Sequence, residues 1–283
     1  MKIKKMGVIG AGLMGRGIVE VGARAGYDVV LCASGGESLE RGLTFIEASL
    51  TRAVEKGRTT AEEKKTAMGH ITGTVNVEDF KDCDLVIESV NEDLELKRKI
   101  FISLDKVCPE HAILATNTSC LSVMEIASAT KRPDRVLGIH FFNPVPFMKL
   151  VELVRTFTTS EETITTSRIF AESLGKTVIT VTDSPGFIVV RLVMPFVLGA
   201  IRLYESGVAT KEEIDQAIML GLNYPTGPLA LCDFIGLDTI LSISTAMYQE
   251  LRDTQYTPPV LLKRLVAAGH LGRKTNKGFY YYK

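Results

Sequence analysis

The first half of the chain alternates short apolar runs with longer stretches that carry apolar residues on one helical face. Met6–Ile9 is a short apolar run that ends in glycines, and it predicts a buried strand. After it, Ile18, Val21 and Ala25 share one face of a predicted helix, which ends at Gly26. Further strands are predicted at Val29–Leu31, Leu85–Ile87, Ile113–Ala115, Val136–Ile139, Leu150–Val154 and Thr177–Val181. Because helical stretches lie between most of these strands, we expect a mostly parallel, doubly wound sheet.

The pattern changes at residues 184–187, which read S-P-G-F. Beyond them the strand-like runs give way to apolar helices, which are predicted at Phe187–Ser206, Lys211–Leu220, Leu237–Leu251 and Val260–Ala268. We therefore predict an α/β domain of residues 1–184 and an all-α domain of residues 185–283. A domain of about 100 residues has a limited core, so its helices can complete their burial against a second copy of the chain.

Composition narrows the class of protein. The 283 residues include 33 Lys and Arg and 33 Asp and Glu, and this balance favours neither nucleic acid nor a membrane surface as a partner. No apolar run reaches the length of a membrane span. The 5 cysteines form no CxxC pair and are odd in number, so we expect reduced thiols and a cytoplasmic protein. The 4 histidines lack metal-ligand spacing, and no metal site is expected.

The glycines after the first predicted strand form a phosphate-binding sequence. Residues 10–15 read G-A-G-L-M-G, directly after a strand and at the start of a helix. Gly10 permits the tight turn, Gly12 lets the backbone approach a pyrophosphate, and Gly15 lets the helix pack on the strand. In this context a merely flexible turn is the weaker interpretation. We therefore expect a Rossmann-type domain that binds a dinucleotide through Gly10, Ala11, Gly12, Leu13, Met14 and Gly15.

The second predicted strand lacks the acidic residue that usually selects NAD at its end. Such a residue bonds the ribose 2′-hydroxyl and repels a 2′-phosphate. Here Ala33 and Ser34 stand at the end of the strand, while Asp28 comes too early and Glu37 somewhat late. Ser34 can donate to a phosphate, but no arginine stands beside it in the sequence. The cofactor is therefore expected to be NAD or NADP, with Ala33 and Ser34 beside its ribose.

Two polar sequences follow predicted strands, at the strand ends where ligands bind in open α/β sheets. Residues 116–119 read T-N-T-S, residues 140–143 read H-F-F-N, and Glu152 follows soon after. Oxidation of an alcohol needs a base for the hydroxyl proton, and a histidine held by a carboxylate suits that role. From spacing alone, a core histidine at His140 and a solvated carboxylate at Glu152 are the commoner interpretations.

Several stretches spread over the whole chain carry a resemblance to one enzyme family. They read GAGLMGRGI, CDLVIESVNEDLELK, LATNTS, KRPDRVLGIHFFNPVPFMKLVELV, DSPGFIV, YPTGPLALCDFIGLD and LGRKTNKGFYYY. With them the sequence resembles the short-chain L-3-hydroxyacyl-CoA dehydrogenases, and in particular the bacterial 3-hydroxybutyryl-CoA dehydrogenases. The resemblance implies hydride transfer between NAD(P) and an acyl-CoA substrate, which interconverts an (S)-3-hydroxyacyl-CoA and its 3-oxoacyl-CoA. It also implies a homodimer built by the helical domain.

The resemblance also implies roles for individual residues. It makes His140 the general base and acid, Glu152 the group that orients it, and Ser119 a hydrogen-bond partner of the substrate oxygen. The positions that match dinucleotide contacts are Glu92, Lys97, Ser119, Asn143 and Lys274. Ser49 and Lys56, together with Ser119, match positions that meet coenzyme A, where a lysine suits a phosphate. Without the resemblance, the charged members of these sets would be interpreted as ordinary surface charge.

Two positions depart from the family pattern. Ala33 replaces an acidic residue, and Val190, in the sequence P-G-F-I-V-V of residues 185–190, replaces an asparagine in the active site. These departures leave two alternatives open: a dehydrogenase of an unusual acyl-CoA or a free hydroxy acid, and a nucleotide- or CoA-binding protein with impaired turnover. The intact Ser119, His140 and Glu152 favour the active enzyme.

Overall fold

The computed structural model describes residues 2–283, and the chain divides into two compact units between Asp183 and Ser184. Met1, with which the predicted first domain begins, lies outside the described residues. Among residues 2–283, the named strands all fall in the first unit, and the second unit is built of helices. The predicted fold class, a Rossmann-type α/β domain followed by an all-α domain, is confirmed.

The first unit is built on one sheet. Within the described residues its eight strands are β1 (Lys5–Ile9), β2 (Asp28–Cys32), β3 (Ile71–Thr74), β4 (Leu85–Glu88), β5 (Ile113–Thr116), β6 (Val136–Phe141), β7 (Leu150–Arg155) and β8 (Thr177–Thr182). They lie in the order β3-β2-β1-β4-β5-β6-β7-β8, and every pair of neighbours is parallel except β6 and β7. The carboxyl ends of β1, β2, β4, β5 and β6 therefore share one edge of the sheet.

Strand β3 is absent from the sequence-based prediction for a physical reason. It reads I-T-G-T and lies at an edge of the sheet, where its residues are only partly buried. A strand of this kind needs no continuous apolar run, so the pattern of hydrophobic residues does not reveal it.

Helices cover both faces of the sheet. They are α1 (Leu13–Arg24), α2 (Gly36–Glu55), α3 (Ala61–Gly69), α4 (Leu94–Val107), α5 (Val123–Ala127) and α6 (Glu161–Ser173). Alternate strand residues enter two separate cores: Leu85 and Ile87 pack with residues of α1, α2, α3 and α6, whereas Val86 packs with residues of α4 and α5. Burial on both faces explains why the strands read as continuous apolar runs.

The second unit contains α7 (Val189–Glu205), α8 (Lys211–Gly221), α9 (Pro228–Ile235), α10 (Leu237–Leu251) and α11 (Val260–Ala267). The helix predicted from Phe187 was placed too early, because Gly186 and Phe187 adopt positive φ angles of 75° and 47° and turn the chain before α7. Helix α9 was missed, because it is short and lies between Pro228 and Gly236 in a glycine- and proline-containing stretch.

Two buried carboxylates fix the C-terminal tail within the second unit. Asp233 accepts hydrogen bonds from the backbone N–H groups of Phe279 and Tyr280 and from the Tyr282 hydroxyl. Asp215 accepts a bond of 3.0 Å from the Tyr280 hydroxyl as well as bonds from the first turn of α9. The tail is thus held to α8 and α9 by charge-assisted hydrogen bonds.

No single helix within residues 2–283 has the length and apolar content needed to cross a membrane. Helices α9 and α10 meet that criterion only when they are taken together, and they are bent by 96° where they join.

Candidate active site

The loop between β1 and α1 leaves an open cradle at a helix N-terminus. A Cβ on Gly10 would lie 2.3 Å from the carbonyl oxygen of Ser89, and a Cβ on Gly15 would lie 1.8 Å from that of Gly10. Protein atoms therefore require glycine at both positions. At Gly12, the N-cap of α1, a Cβ would meet no heavy atom of the described residues within 4 Å. Since packing does not require that glycine, the loop fits a pyrophosphate that approaches the helix N-terminus.

The residues that directly follow β2, Ala33 and Ser34, carry no charged side chain. Ala33 is buried, and its backbone N–H donates to the carbonyl oxygen of Thr74 at 3.1 Å. Ser34 is exposed, and α2 begins two residues later at Gly36. Glu37, in the first turn of α2, forms an ion pair with Arg41. The acidic group that follows β2 in the sequence is therefore already engaged.

His140 and Glu152 form a buried pair across the antiparallel strands β6 and β7. The strand register makes them direct partners, and Nδ1 of His140 lies 2.8 Å from Oε2 of Glu152. His140 is 5% exposed and Glu152 is fully buried. The interpretation of Glu152 as a solvated carboxylate is therefore wrong. A carboxylate at Nδ1 favours the proton on that nitrogen, which leaves Nε2 as the acceptor of the neutral ring. A histidine held in this way can take up a proton at Nε2.

The end of β5 lies beside the end of β6 and is joined to it by a side chain. Oδ1 of Asn117 accepts a hydrogen bond of 2.8 Å from the backbone N–H of Phe141. Two residues further on, the half-buried Ser119 donates its backbone N–H to Glu92 at 2.7 Å, and the Thr118 hydroxyl donates to the same oxygen at 2.8 Å. The structure thus brings together Ser119 and Glu92, two of the residues predicted from the sequence.

Glu92 belongs to a buried ionic network that extends into the sheet. Lys97, on α4, lies 3.2 Å from Glu92 and 2.7 Å from Glu88, the last residue of β4. The Thr116 hydroxyl donates to the second oxygen of Glu88 at 2.7 Å. Glu88 was not predicted from the sequence. The available signal was a carboxylate at the end of an apolar strand, followed by a lysine on the next helix.

The loop between β6 and β7 carries Asn143 and is anchored by a buried lysine. Nζ of Lys176 donates to the carbonyl oxygens of Val145 and Met148 at 2.5 and 2.8 Å. Burial lowers the pKa of Lys176, and the charge of Arg24 acts in the same direction. Asn143 itself is exposed at the start of this loop.

A cleft of about 200 Å³ runs between α1, α2 and the β6–β7 loop. Its polar and aromatic lining residues include Arg16, Glu20, Phe45, Ser49, Arg52 and Asn143. The Arg16 guanidinium lies 3.9 Å from the centre of the Phe45 ring. Burial raises the pKa of Glu20, and a hydrogen bond to Ser49 opposes that rise. The cleft therefore combines predicted positions of both ligands, Ser49 for coenzyme A and Asn143 for the dinucleotide.

Lys56 does not line that cleft, but it lies on the same side of α2 as Ser49. It is the exposed C-cap of the helix, seven residues or about two turns after Ser49, so both point to one side of α2. Arg52, which lies between them, adds a positive charge to the same side. Arg16 and Arg52 were not predicted from the sequence. Their positions one helical turn from residues of the glycine loop and from Ser49 were the available signal.

The remaining predicted positions lie in the second unit. Lys274 forms an ion pair with Asp238, in the first turn of α10, and its side chain packs against Gly236. Val190 is the second residue of α7 and is partly buried. Within residues 2–283, the His, Cys, Asp and Glu side chains form no group of three that could hold a metal ion.

Comparisons with known proteins identify the family of the chain. The family model of the 3-hydroxyacyl-CoA dehydrogenase NAD binding domain matches residues 5–184, and that of the 3-hydroxyacyl-CoA dehydrogenase C-terminal domain matches residues 186–282. The chain is 48% identical to the 3-hydroxybutyryl-CoA dehydrogenase of Clostridioides difficile, over 98% of this chain and 99% of that protein. It is 44% identical to the mitochondrial hydroxyacyl-coenzyme A dehydrogenase of Rattus norvegicus, over 99% of this chain and 92% of that protein.

A solved structure leads to the same conclusion. The crystal structure of (S)-3-hydroxybutyryl-CoA dehydrogenase from Ralstonia eutropha is similar to this chain with a TM-score of 0.95 and 42% identity, over 100% of both chains. The family predicted from the sequence motifs is confirmed. The chain belongs to the 3-hydroxyacyl-CoA dehydrogenase family, whose members are nicotinamide-dependent oxidoreductases.

Proposed function

We propose that this protein interconverts (S)-3-hydroxybutyryl-CoA and acetoacetyl-CoA. The observation that carries the proposal is the buried His140–Glu152 pair, which lies at the same sheet edge as the glycine loop between β1 and α1. The names of the most similar relatives support the choice of a short acyl chain. An intact pair of this kind also argues against a binding protein that has lost turnover.

The chemistry follows from the direction in which the pair is oriented. The dinucleotide, when bound, accepts hydride from the alcohol carbon or returns it to the ketone. In the oxidation, Nε2 of His140 removes the hydroxyl proton, and Glu152 at Nδ1 stabilises the imidazolium that forms. The Ser119 hydroxyl bonds the reacting oxygen. In the reduction, His140 returns the same proton to that oxygen.

The cofactor is proposed to be NAD or NADP, with weak discrimination between them. Ala33 and Ser34 place no carboxylate at the end of β2, and Glu37 is paired with Arg41. A 2′-phosphate therefore meets no carboxylate on the residues that directly follow β2, while Ser34 supplies a hydroxyl donor. No cationic side chain follows Ser34 directly in the sequence, so the phosphate gains only modest attraction.

Coenzyme A is proposed to bind along α2. Ser49, Arg52 and Lys56 lie on one side of this helix, and two of them carry positive charge suited to phosphate groups. Asn143, Lys274 and Glu92 are proposed dinucleotide contacts. We further assign dinucleotide binding to the first unit, with Lys274 as a contact from the second, and dimer formation to the apolar helices of the second unit. We also assign a cytoplasmic location, which the five free, buried cysteine thiols support.

The decisive experiment follows the absorbance of reduced nicotinamide with acetoacetyl-CoA and, separately, with free acetoacetate. We expect oxidation of NADH or NADPH with the CoA ester, at a rate that Val190 keeps low, and little with the free acid, because the free acid lacks the α2 contacts. Turnover on acetoacetate alone would favour a free hydroxy acid as the substrate class. No turnover on either, with intact dinucleotide binding, would favour a binding protein. The second candidate substrate class is an unusual acyl-CoA, because Val190 replaces a polar residue of the family pattern. A series of longer and dicarboxylic acyl-CoA esters tests it.

A further inference from the structure

An exposed phenylalanine lines the cleft that also contains Ser49 and Asn143. Phe147 belongs to the loop between β6 and β7, and 60% of its side chain is exposed to solvent. The Arg58 guanidinium lies 5.1 Å from the centre of its ring. Because the rest of the ring leaves apolar surface in water, a ligand that covers it gains free energy.

The loop that carries Phe147 is held by hydrogen bonds on both sides of this residue. Nζ of Lys176 donates to the carbonyl oxygen of Val145 on one side and to that of Met148 on the other. The backbone N–H groups of Phe147 and Met148 both donate to the carbonyl oxygen of Pro144 at 3.0 Å. The backbone of Phe147 is therefore in place before a ligand binds, which lowers the entropic cost of binding.

The segment that carries Arg58 also carries other positive charges. Arg52 lines the same cleft as Phe147, and Lys56 is the exposed C-cap of α2, two residues before Arg58. The acidic residue that lines the cleft, Glu20, is buried. An exposed aromatic ring beside exposed cations suits a ligand that combines a flat ring system with phosphate groups.

We propose that Phe147 and Arg58 form a subsite for the adenosine end of coenzyme A. The purine stacks on the Phe147 ring, and Arg58 attracts the neighbouring phosphates. Ser49 and Lys56 lie about 10 Å apart along α2, because each residue advances the helix by about 1.5 Å. A CoA ester that follows the helix toward Lys56 therefore brings its phosphates and its purine to Arg58 and Phe147.

The dinucleotide also contains a purine and phosphates, so the two ligands share this chemistry. Its purine end is proposed to lie at the end of β2, and Ala33 and Ser34 are not among the residues that line the cleft with Phe147. The subsite is therefore assigned to coenzyme A. This assignment rests on the proposed function in one respect, which is that the substrate is a CoA ester.

A substrate without adenosine separates purine stacking from a structural role of the loop. The variants are Phe147→Ala, Phe147→Leu, Phe147→Trp and Arg58→Gln, with Phe157→Ala as a control on a phenylalanine that is 95% exposed and does not line the cleft. Values of kcat and KM are measured with acetoacetyl-CoA and with acetoacetyl-pantetheine, which keeps the acyl thioester but lacks the nucleotide. The dissociation constants of CoA and of NADH are measured by calorimetry without turnover, and melting temperatures are recorded for all variants.

We expect Phe147→Ala to raise the KM for acetoacetyl-CoA and the dissociation constant of CoA by roughly fivefold to a hundredfold, because the stacking of one base is lost. Phe147→Leu should lose most of the same affinity, whereas Phe147→Trp should keep it. Arg58→Gln should weaken CoA binding about two- to fivefold, and high salt should remove that difference. With acetoacetyl-pantetheine, all variants should match the parent protein, and NADH binding should not change.

Three results would overturn the proposal. Equal losses with the CoA ester and the pantetheine ester would show that Phe147 only supports the loop. Unchanged CoA binding in Phe147→Ala would show that the purine lies elsewhere, and weakened NADH binding would assign the ring to the dinucleotide. A parent protein that binds CoA but does not reduce acetoacetyl-CoA would count against the proposed function alone, because the dissociation constants of CoA still test the subsite.

Discussion

The carboxyl ends of β2 and of β4–β6 share one edge of the sheet but differ in the density of their polar contacts. At β2, a buried Ala33 and an exposed Ser34 follow the strand, and the nearby carboxylate of Asp79 is exposed and hydrogen-bonded to Thr74 of the neighbouring strand β3. At β4–β6, Glu88, Lys97 and His140 are buried and engaged in hydrogen bonds of 2.7 to 2.8 Å. The side chains at the β4–β6 end are therefore held in fixed positions suited to catalysis. The β2 end, in contrast, places few constraints on which dinucleotide binds.

The largest effect is expected at the densely bonded end. His140→Ala should lower kcat by about 10²–10⁴-fold, because the reaction loses its general base. NADH binding should survive, since the glycine loop is untouched, and a fluorescence titration checks this. Glu152→Gln should also lower kcat, because an amide stabilises the imidazolium less well than a carboxylate. Near-normal turnover of His140→Ala in steady-state kinetics would show that the base lies elsewhere.

A second prediction concerns a polar group that is missing from the second unit. Val190→Asn should raise the rate on acetoacetyl-CoA, because the resemblance to the family implies an asparagine among the active-site polar groups at this position. Loss of one preorganised donor costs about 2.7–4 kcal/mol in acyl-transfer enzymes, or roughly 10²–10³ in rate.

The opposing interpretation of Val190 predicts a different readout. Val190 lies in the first turn of α7 and is partly buried, so it can serve packing alone. In that case the new amide would be buried unpaired and destabilise the protein by about 1–3 kcal/mol. Kinetics combined with thermal unfolding decide between the two. A gain restricted to a longer or dicarboxylic acyl-CoA would instead indicate an apolar wall in the substrate pocket.

A third prediction tests the carboxyl end of β2, where few polar contacts are present. Ala33→Asp should shift the preference toward NAD by about tenfold or more, because like charges brought together cost more than about 1.4 kcal/mol. The measurement is the ratio of kcat/KM for NADH to that for NADPH. Ala33→Asn, which adds similar volume without charge, is the matched control and should shift the ratio far less. A parent protein that already prefers NADH strongly would contradict the weak discrimination proposed here.

The smallest effect concerns stability at alkaline pH. Burial and the Asp233 carboxylate raise the pKa of Tyr282 to about 12. The ordinary pKa of tyrosine is about 10, so this group stabilises the folded chain fully below pH 10 and loses that contribution as the pH rises toward 12. We therefore expect Tyr282→Phe to lose less melting temperature than the parent between pH 9 and pH 11. Tyr281→Phe, on an exposed neighbour, should behave like the parent.

The sequence reveals the loosely specified end of the sheet better than the densely bonded one. The glycine loop and the absence of an acid at Ala33 can be predicted directly from the sequence. The loop depends on local backbone conformation, and the missing acid is a matter of a single side chain. The ionic network is not readable, because Glu88 and Lys97 meet only once β4 and α4 pack together. Similarly, the pairing of His140 with Glu152 depends on the antiparallel register of β6 and β7, which alternation of apolar runs does not predict.

The comparison of the two ends is tested most directly by measuring kcat/KM with NADH and with NADPH in His140→Ala and Ala33→Asp side by side. If the residues that carry out the reaction are separate from those that select the cofactor, His140→Ala lowers both values by the same large factor and leaves their ratio unchanged. Ala33→Asp then changes the ratio while the value with NADH stays near that of the parent. A changed ratio in His140→Ala, or an equal loss with both cofactors in a folded Ala33→Asp, would contradict the division of roles between the two ends.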